Sequence, residues 1–256
     1  MTRISDLSDK VYLITGASTG IGAALAKGFA AQGALVAVHY NSNEAAAAAV
    51  VDGIQAAGGT AIAIRGDLSK KGAIEEVVAA TGKHFGRIDG LINNAGSMVR
   101  RCPIADFDDD LFDEVVELNI RSVVNGCRAV IPWLRQAGGG NILNVTSIAA
   151  RMGGGVGAVF YASSKAFVSN LTRGLAKELV KDNIRVNAVA PGVITTPFHE
   201  RHTSPEMMEA FVRTIPMGRA GTPEDCVGAF LYLASDELSG YVTGQIIEVN
   251  GGQYMP

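Results

Sequence analysis

The amino-acid sequence predicts a single α/β domain over residues 1–256, in which a doubly wound parallel sheet of about seven strands has helices on both faces. Two observations support this fold class. Short runs rich in β-branched residues alternate with longer segments of helical composition, and this alternation produces right-handed crossovers within one sheet. The runs at 142–145 and 186–189 are largely apolar, as expected of strands that are covered on both faces.

The predicted elements alternate along the chain. Strands are predicted at 11–15, 35–40, 61–65, 90–93, 141–146, 184–190 and 245–249, and helices at 21–32, 44–57, 71–85, 111–135, 161–181 and 223–234. Gly33 is expected to end the first helix, because glycine readily adopts the left-handed conformation that follows a helix. Thr222 and Pro223 predict the start of the last helix, as an N-cap followed by proline at the first helical position.

Residues 191–221, here called the lid segment, form the longest weakly patterned stretch. They contain four prolines and one short predicted helix at 205–214. An insertion of this kind in a compact domain is more often a functional element than a plain connection. Phe198, Met208 and other apolar residues alternate there with charged ones. We therefore predict a mobile lid over a binding site.

The composition excludes several classes of protein. Hydrophobic residues make up 48% of the chain, which is incompatible with a disordered protein. The net charge of −3 predicts neither a nucleic acid nor a membrane surface as a partner, and no apolar run has the length of a membrane span. Cys102, Cys127 and Cys226 form no paired pattern, and the N-terminus has no apolar signal-peptide core. We therefore expect a cytoplasmic protein.

A glycine-rich turn follows the first predicted strand and opens the first helix. Gly16 permits the tight turn, Gly20 allows a pyrophosphate to approach the backbone, and Gly22 allows the helix to pack closely on the sheet. The N–H groups at the helix N-terminus can then bind phosphate oxygens. In isolation the segment also fits a purely structural turn. Its context predicts dinucleotide binding on a Rossmann-type sheet.

Tyr161 and Lys165 lie four residues apart in a predicted helix and therefore share one of its faces. A phenol with a pKa of about 10 is a poor acid–base group at neutral pH. A neighbouring ammonium stabilises the phenolate, so we expect Lys165 to lower the pKa of Tyr161. Together with the glycine-rich turn, the pair predicts acid–base chemistry beside a bound dinucleotide.

The sequence resembles the short-chain dehydrogenase/reductase family over essentially its whole length. The motifs of that family occur here in its order, as Thr15, Gly16, Gly20 and Gly22, then Asn-Asn-Ala-Gly at 93–96, Asn119, Ser147, Tyr161 with Lys165, and Pro-Gly-x-x-x-Thr at 191–196. The resemblance implies reversible hydride transfer between a nicotinamide and a secondary alcohol or carbonyl compound. It also implies a homotetramer with dihedral symmetry.

Four residues are expected to be catalytic: Asn119, Ser147, Tyr161 and Lys165. Ser147 closes a predicted strand, where its hydroxyl can hydrogen-bond a carbonyl oxygen. It precedes Tyr161 by fourteen residues, one more than the commoner family spacing, and glycines at 153–155 can absorb the extra residue. Thr146 is the alternative. The resemblance implies that Asn119 holds a water that returns a proton to the tyrosine and that Lys165 also binds the nicotinamide ribose.

The resemblance assigns a larger set of residues to the cofactor. Thr196 and the backbone of Ile194 would contact the carboxamide, and Asp67 would meet the adenine. The expected cofactor-binding set is Gly16, Ser18, Thr19, Gly20, Ile21, Gly22, Tyr40, Asn41, Ser42, Asp67, Leu68, Asn94, Ala95, Gly96, Tyr161, Lys165, Pro191, Gly192, Ile194 and Thr196.

The end of the second strand predicts which dinucleotide is used. Relatives that prefer NAD usually carry an aspartate there, and the counterpart in this chain is Tyr40. Without a carboxylate the 2′-phosphate of NADP is not repelled, and Ser18, Asn41 and Ser42 can hydrogen-bond it while His39 adds charge. No arginine or lysine stands at this position. NADP(H) is therefore favoured, with NAD(H) as the alternative.

The substrate is expected to be a small carbonyl or alcohol compound, and two classes compete. Many relatives reduce 3-oxoacyl groups on an acyl carrier protein and dock that acidic carrier with basic residues. The corresponding stretches here hold glycines at 138–140 and Asp182, with Arg135 and Lys181 nearby. This composition weakens the prediction that the substrate is bound to a carrier protein. Residues 39–43 resemble sugar dehydrogenases of the family, so a sugar or polyol is the equal competitor.

Three further features of the sequence bear on its function. A scaffold that senses dinucleotides without catalysis is the alternative function, although such proteins usually lose part of the serine–tyrosine–lysine set. His199 and His202 have metal-ligand spacing, but no third ligand is evident, so no metal site is expected. Arg100 and Arg101 could bind an acidic substrate, but a solvated loop pair is the preferred interpretation.

Overall fold

The computed structural model describes residues 3–256, and its seven strands form one parallel sheet. The sheet has the order β3-β2-β1-β4-β5-β6-β7. The strands are β1 (Val11–Ile14), β2 (Leu35–Tyr40), β3 (Thr60–Arg65), β4 (Gly90–Asn93), β5 (Gly140–Val145), β6 (Ile184–Pro191) and β7 (Ile246–Val249). The predicted strands are confirmed with shifts of one residue at their ends.

Eleven α-helices are present in the described chain. They are α1 (Gly20–Ala31), α2 (Glu44–Ala56), α3 (Ala73–Phe85), α4 (Asp109–Val116), α5 (Ser122–Gln136), α6 (Ala149–Met152), α7 (Val159–Leu179), α8 (Pro197–His202), α9 (Pro205–Arg213), α10 (Pro223–Ala234) and α11 (Asp236–Ser239). A π turn, Glu117–Arg121, divides the single helix predicted at 111–135. The lid segment contains two helices, α8 and α9, where one was expected.

The helices cover both faces of the sheet, as the fold class predicts. One apolar core lies between the sheet and α1, α2 and α10, and includes Leu25, Val50 and Phe230. A second core lies between the opposite face and α3, α5 and α7, and includes Val77 and Val130. None of the helices between residues 3 and 256 is long and apolar enough to cross a membrane.

The site is positioned by the strand order. The chain runs outward from β1 to β3 on one side and continues from β4 on the other, so β1 and β4 are neighbours at the point where the order reverses. In an open α/β sheet, ligands bind in the crevice outside the carboxyl ends of the strands at such a point. The loops after β1 and β4 are the two glycine-containing motifs found in the sequence.

Candidate active site

The glycine-rich turn after β1 has the backbone that its glycines predict. Gly16 and Gly20 have φ of +62° and +55°, in the left-handed region that disfavours other residues. A Cβ on Gly22 would lie 2.3 Å from the carbonyl oxygen of Gly16, so only glycine fits the first turn of α1 at this position. The turn therefore brings backbone N–H groups to the mouth of the crevice, where they fit a pyrophosphate.

The turn after β4 is bonded directly to the glycine-rich turn. Thr15 Oγ1 accepts hydrogen bonds from the backbone N–H groups of Asn94 at 2.9 Å and Ala95 at 3.0 Å. The side chain of Asn94 donates in return to the carbonyl oxygens of Thr15 at 2.8 Å and Gly16 at 3.0 Å. Asn94 thus holds the two turns together at the base of the crevice.

Ser147, Tyr161 and Lys165 come together at the same cleft. Ser147 follows β5, whereas Tyr161 and Lys165 lie on the first turns of α7. Lys165 is almost fully buried, and its Nζ donates a hydrogen bond to the carbonyl oxygen of Val145 at 2.9 Å. The same Nζ lies 5.8 Å from the centre of the Tyr161 ring. An ammonium has three donors, so Lys165 keeps two for a ligand in the cleft.

Burial controls the acidity of this pair. It raises the pKa of Tyr161 to about 12, while the Ser147 hydroxyl acts in the opposite direction. Burial also lowers the pKa of Lys165 to about 8. In the protein alone, desolvation of the phenol outweighs the lowering of its pKa that is expected from Lys165, whose ammonium hydrogen-bonds Val145.

The hydrogen bonds of the two hydroxyl groups favour Ser147 over Thr146 as the group that binds a substrate carbonyl oxygen. Thr146 Oγ1 donates to the carbonyl oxygen of Val189 at 3.1 Å, and the residue is almost fully buried. Ser147 Oγ accepts from the N–H of Ala149 at 3.1 Å, which leaves its own hydrogen free to be donated. The loop with glycines 153–155 does accommodate the longer spacing to Tyr161.

Asn119 is fully buried in the π turn, an irregularity that is frequent at functional sites. Its Oδ1 accepts from the backbone N–H of Ser97 at 2.9 Å, and its Nδ2 donates to the carbonyl oxygen of Ser97 at 2.7 Å. Each polar atom of the amide keeps one further hydrogen-bonding position, so the expected role of Asn119 in holding a water stays a prediction. Asn119 also positions the turn that contains Gly96.

The cleft has a volume of about 690 Å³ and includes most of the predicted residues. Those that line it are Gly16, Ser18, Thr19, Gly20, Ile21, Asn41, Ser42, Leu68, Asn94, Ala95, Gly96, Ser147, Tyr161, Lys165, Pro191, Gly192, Ile194 and Thr196. Sequence reasoning assigned no role in the cleft to Met98, Leu118 or Arg101, which also line it. Of these three residues, only Arg101 was noted in the sequence, as one of two adjacent arginines that could bind an acidic substrate.

Three predicted cofactor contacts, Gly22, Tyr40 and Asp67, are not among the residues that line the cleft. Gly22 packs against the backbone of Gly16 within the same turn. Tyr40 is buried in the core beneath α1 and α2, because successive side chains of β2 point to opposite faces. The cleft residues at this strand end are Asn41, Ser42 and Asn43. Asp67 lies beside the cleft with its Oδ1 bonded to the N–H and hydroxyl of Ser69. The Tyr40 side chain thus faces the core, whereas the contact of Asp67 with the adenine stays a prediction, since its Oδ2 has no partner among the described residues.

His39 does not supply the charge expected of it. Its Nδ1 accepts a hydrogen bond from the N–H of Gly16 at 2.9 Å, so its Nε2 carries the hydrogen and donates to the carbonyl oxygen of Gly66 at 3.0 Å. Burial lowers the pKa of His39 below its ordinary value, and the ring is therefore neutral at pH 7. His39 orients the glycine-rich turn.

The strand order, the glycine-rich turn and the buried lysine beside a tyrosine define a dinucleotide-dependent enzyme. A family model described as enoyl-(acyl carrier protein) reductase matches residues 16–253. A 3-oxoacyl-[acyl-carrier-protein] reductase of Synechocystis sp. is 38% identical over 253 residues, which cover 97% of this chain and 98% of that protein.

Solved structures agree over the whole chain. The NADH-dependent reductase A1-R′ in complex with NAD has a TM-score of 0.88 at 39% identity, covering 99% of this chain and 100% of that one. A short-chain dehydrogenase from Burkholderia cenocepacia in complex with NADP has a TM-score of 0.90 at 33% identity, covering 97% and 99%. This chain therefore belongs to the short-chain dehydrogenase/reductase family. It is an NAD(P)-dependent oxidoreductase of alcohol and carbonyl groups and not a silent scaffold.

Proposed function

We propose that the protein interconverts a small ketone and its secondary alcohol, with Tyr161 as the acid–base group. The observation that carries this proposal is the meeting of Ser147, Tyr161 and Lys165 in one cleft with the glycine-rich turn. A bound nicotinamide supplies or accepts the hydride. The left-handed glycines and the two free donors of Lys165 fit the phosphates and ribose of such a cofactor.

The residues of the chain handle the proton and the carbonyl oxygen. In the direction of reduction, the Ser147 hydroxyl donates a hydrogen bond to the substrate oxygen and polarises the carbonyl. Tyr161, which is protonated at pH 7 as any phenol is, donates its phenolic proton to that oxygen. The ammonium of Lys165, 5.8 Å from the ring centre, stabilises the phenolate that remains. In oxidation each transfer runs in reverse.

The test is the variant Tyr161→Phe, which removes the acidic hydrogen and keeps the ring. General acid–base catalysis contributes about 10²–10⁴-fold, so kcat is expected to fall by at least 100-fold with the dinucleotide Kd nearly unchanged. Tyr241→Phe, at a fully exposed tyrosine, is the matched control and should retain wild-type kcat. Retention of most activity by Tyr161→Phe across a panel of ketones, sugars and 3-oxoacyl thioesters contradicts the proposal.

We propose that NADP(H) is favoured over NAD(H). No carboxylate of residues 3–256 lines the cleft, and Ser18, Asn41 and Ser42 offer hydrogen-bond donors at the end of β2. The 2′-phosphate therefore meets polar groups and no like charge. With His39 neutral and Tyr40 in the core, Asn41 is the position at which a carboxylate would reverse the preference.

A free small molecule is favoured as substrate over a carrier-bound one. Arg135, one of the two basic residues near the expected carrier-docking stretches, has its Nη2 2.7 Å from Asp182. This ion pair reduces the positive charge that Arg135 would present to an acidic carrier protein and leaves Lys181 as the other basic group. A sugar, polyol or other small secondary alcohol is thus the leading class, with a 3-oxoacyl thioester as its competitor.

The lid segment is proposed to close over the substrate. Phe198 on α8 packs against Tyr161, with ring centres 5.4 Å apart, so the lid directly covers the acid–base group. Helix α9 has no fully buried residue and begins at a Ser204 N-cap. A helix with so little buried surface can move at low cost in free energy, as a lid requires.

A homotetramer in a reducing, cytoplasmic setting is proposed from surface features and free thiols. The helices predicted at 111–135 and 161–181 contain many apolar residues, of which Val115, Val123 and Val168 are buried within the chain. Phe112, Val124 and Phe167 on α4, α5 and α7 remain exposed and support contact with another copy. Cys102, Cys127 and Cys226 are all free and buried, as in proteins of reducing compartments.

A further inference from the structure

Arg101 enters the catalytic cleft and is not the solvated loop residue that the sequence indicates. Its neighbour Arg100 is exposed and forms an ion pair with Asp108. Arg101 is partly buried and lies among the residues that line the cleft. Adjacent arginines in one loop therefore have different environments, and only one of them faces the substrate side.

The guanidinium of Arg101 is held by main-chain atoms on two sides. Its Nε donates to the carbonyl oxygen of His202 at 2.6 Å, and its Nη1 donates to that of Val156 at 2.9 Å. In residues 3–256 no carboxylate forms an ion pair with it, and Nη2 has no protein acceptor. Arginine presents five donors in a rigid fork. The edge formed by Nη1 and Nη2 thus remains available for one planar anion.

The surroundings of Arg101 favour an anion over any other ligand. The described residues that line the cleft include no aspartate or glutamate, whereas Arg101, Lys165 and Arg201 are cationic. His199 does not add charge, because burial and the nearby Arg101 lower its pKa to about 4. Burial also lowers the pKa of Arg101, which shows that its charge is partly desolvated without a counter-ion. A bound anion would relieve that cost.

Apolar groups lie next to the guanidinium. A Cβ on Gly155 would be 3.8 Å from Arg101 Nη1 and 4.0 Å from Phe211 Cζ, so the charge and the ring both lie close to this loop. Met98 and Phe198 line the same cleft, and Phe198 packs on Tyr161. A ligand that reaches from Tyr161 to Arg101 therefore needs an apolar or neutral middle and an anionic end.

We infer that the substrate is a hydroxy or oxo acid whose carboxylate is bound by the Nη1–Nη2 edge of Arg101. This inference rests on the proposed function and names the class of molecule on which that function acts. Arg101 is then a specificity-determining residue. The arginine fork matches the oxygens of a carboxylate and of a phosphate alike, so the experiment includes a phosphate probe to separate the two anions.

The experiment compares acids with their neutral esters. The probes are 3-oxobutanoate, 4-oxopentanoate, 5-oxohexanoate and 6-oxoheptanoate, each with its methyl ester, and dihydroxyacetone phosphate represents phosphates. With wild-type protein and NADPH or NADH, at least one acid is expected to exceed its ester in kcat/KM by about tenfold or more, the worth of a charged hydrogen bond. Arg101→Gln should remove that preference through KM, Arg101→Lys should retain part of it, and the ester should be unaffected.

Arg100→Gln is the matched control and should leave both kcat/KM values at wild-type levels. Two results overturn the inference: esters that equal or exceed their acids throughout the series, or an Arg101→Gln variant that loses acid and ester activity in parallel. The second result would mean that Arg101 only holds the lid segment to the loop at Val156. A phosphate that exceeds every acid, with the same dependence on Arg101, would overturn the assignment of a carboxylate.

Binding measured without turnover separates this inference from the proposed function. Titration calorimetry with hexanoate and hexanamide against the protein saturated with NADP⁺ should show preference for the carboxylate, lost in Arg101→Gln. Carboxylate-selective binding without reduction of any probe would refute the proposed function and support the anion site. Reduction of neutral ketones that depends on Tyr161, with no carboxylate selectivity in either assay, would refute the anion site alone.

Discussion

Replacing Lys165 with methionine tests whether the active-site ammonium is held out of water. Lys165 is only 3% exposed, and burial lowers its pKa from 10.5 to about 8. A shift of that size corresponds to roughly 3 kcal/mol of folding free energy. The unfolded chain keeps the proton to higher pH, so between these two pKa values the unfolded state binds more protons and stability rises with pH. The destabilisation caused by the buried charge is present in full below the folded-state pKa of about 8 and decreases as the pH rises toward the unfolded-state pKa of 10.5.

The expected result is a pH-dependent difference between wild type and Lys165→Met. The free energy of unfolding of the wild type should rise relative to that of the variant by roughly 2–3 kcal/mol between pH 7 and pH 10, because methionine does not titrate. Urea unfolding followed by circular dichroism, without dinucleotide, measures both. Lys177→Met, on the exposed face of the same helix, should differ from the wild type by a constant amount.

A difference for Lys165→Met that stays constant or decreases with pH would refute the reasoning, because it would mean that the ammonium is hydrated. Loss of turnover in the same variant is expected from the proposed function and is measured separately. Stability and catalysis should therefore change in opposite directions at neutral pH, as expected where an active site keeps a buried charge.

Three further predictions concern cofactor choice, the lid and assembly. Asn41→Asp should lower the ratio of kcat/KM for NADPH over NADH by about tenfold or more through repulsion of the 2′-phosphate, and a wild-type preference for NADH would contradict the premise. Hydrogen exchange of residues 195–214 should slow when dinucleotide binds, whereas equal, strong protection in both states would mean that no lid exists. Light scattering at micromolar protein should give the mass of a tetramer, and a monomeric mass would contradict the proposed assembly of the 26.6 kDa chain.

The sheet could be predicted because its signals are local. Each strand is a short apolar run, and Gly33 follows the first helix with φ of +89°, as a glycine after a helix should. The π turn at Glu117–Arg121 was missed because helical periodicity changes little over one turn. The second lid helix was missed because α8 has only six residues and buries none of them completely.

The residues proposed to be catalytic were singled out by their spacing, but their contacts could not be predicted. Tyr161 and Lys165 share a face of α7 as predicted, yet the ammonium bonds Val145 and burial sets both pKa values. Likewise, the sequence placed the position that selects between NAD and NADP at Tyr40. The side chain of Tyr40 lies in the core, whereas Asn41 lines the cleft. A one-residue difference at the end of a strand reverses the direction of a side chain.

The sequence by itself determined the fold class and the glycine-rich turn, and it supplied Ser147, Tyr161 and Lys165 as the proposed site residues, because glycine conformation and helical spacing act over a few residues. Only the tertiary structure decided which polar groups are satisfied by the protein and which remain for a ligand. Both ring nitrogens of His39 bond backbone groups, whereas Nη2 of Arg101, which lines the cleft, has no acceptor among the described residues. Desolvation and hydrogen-bond partners come from segments far apart in the chain, so no local pattern could reveal them.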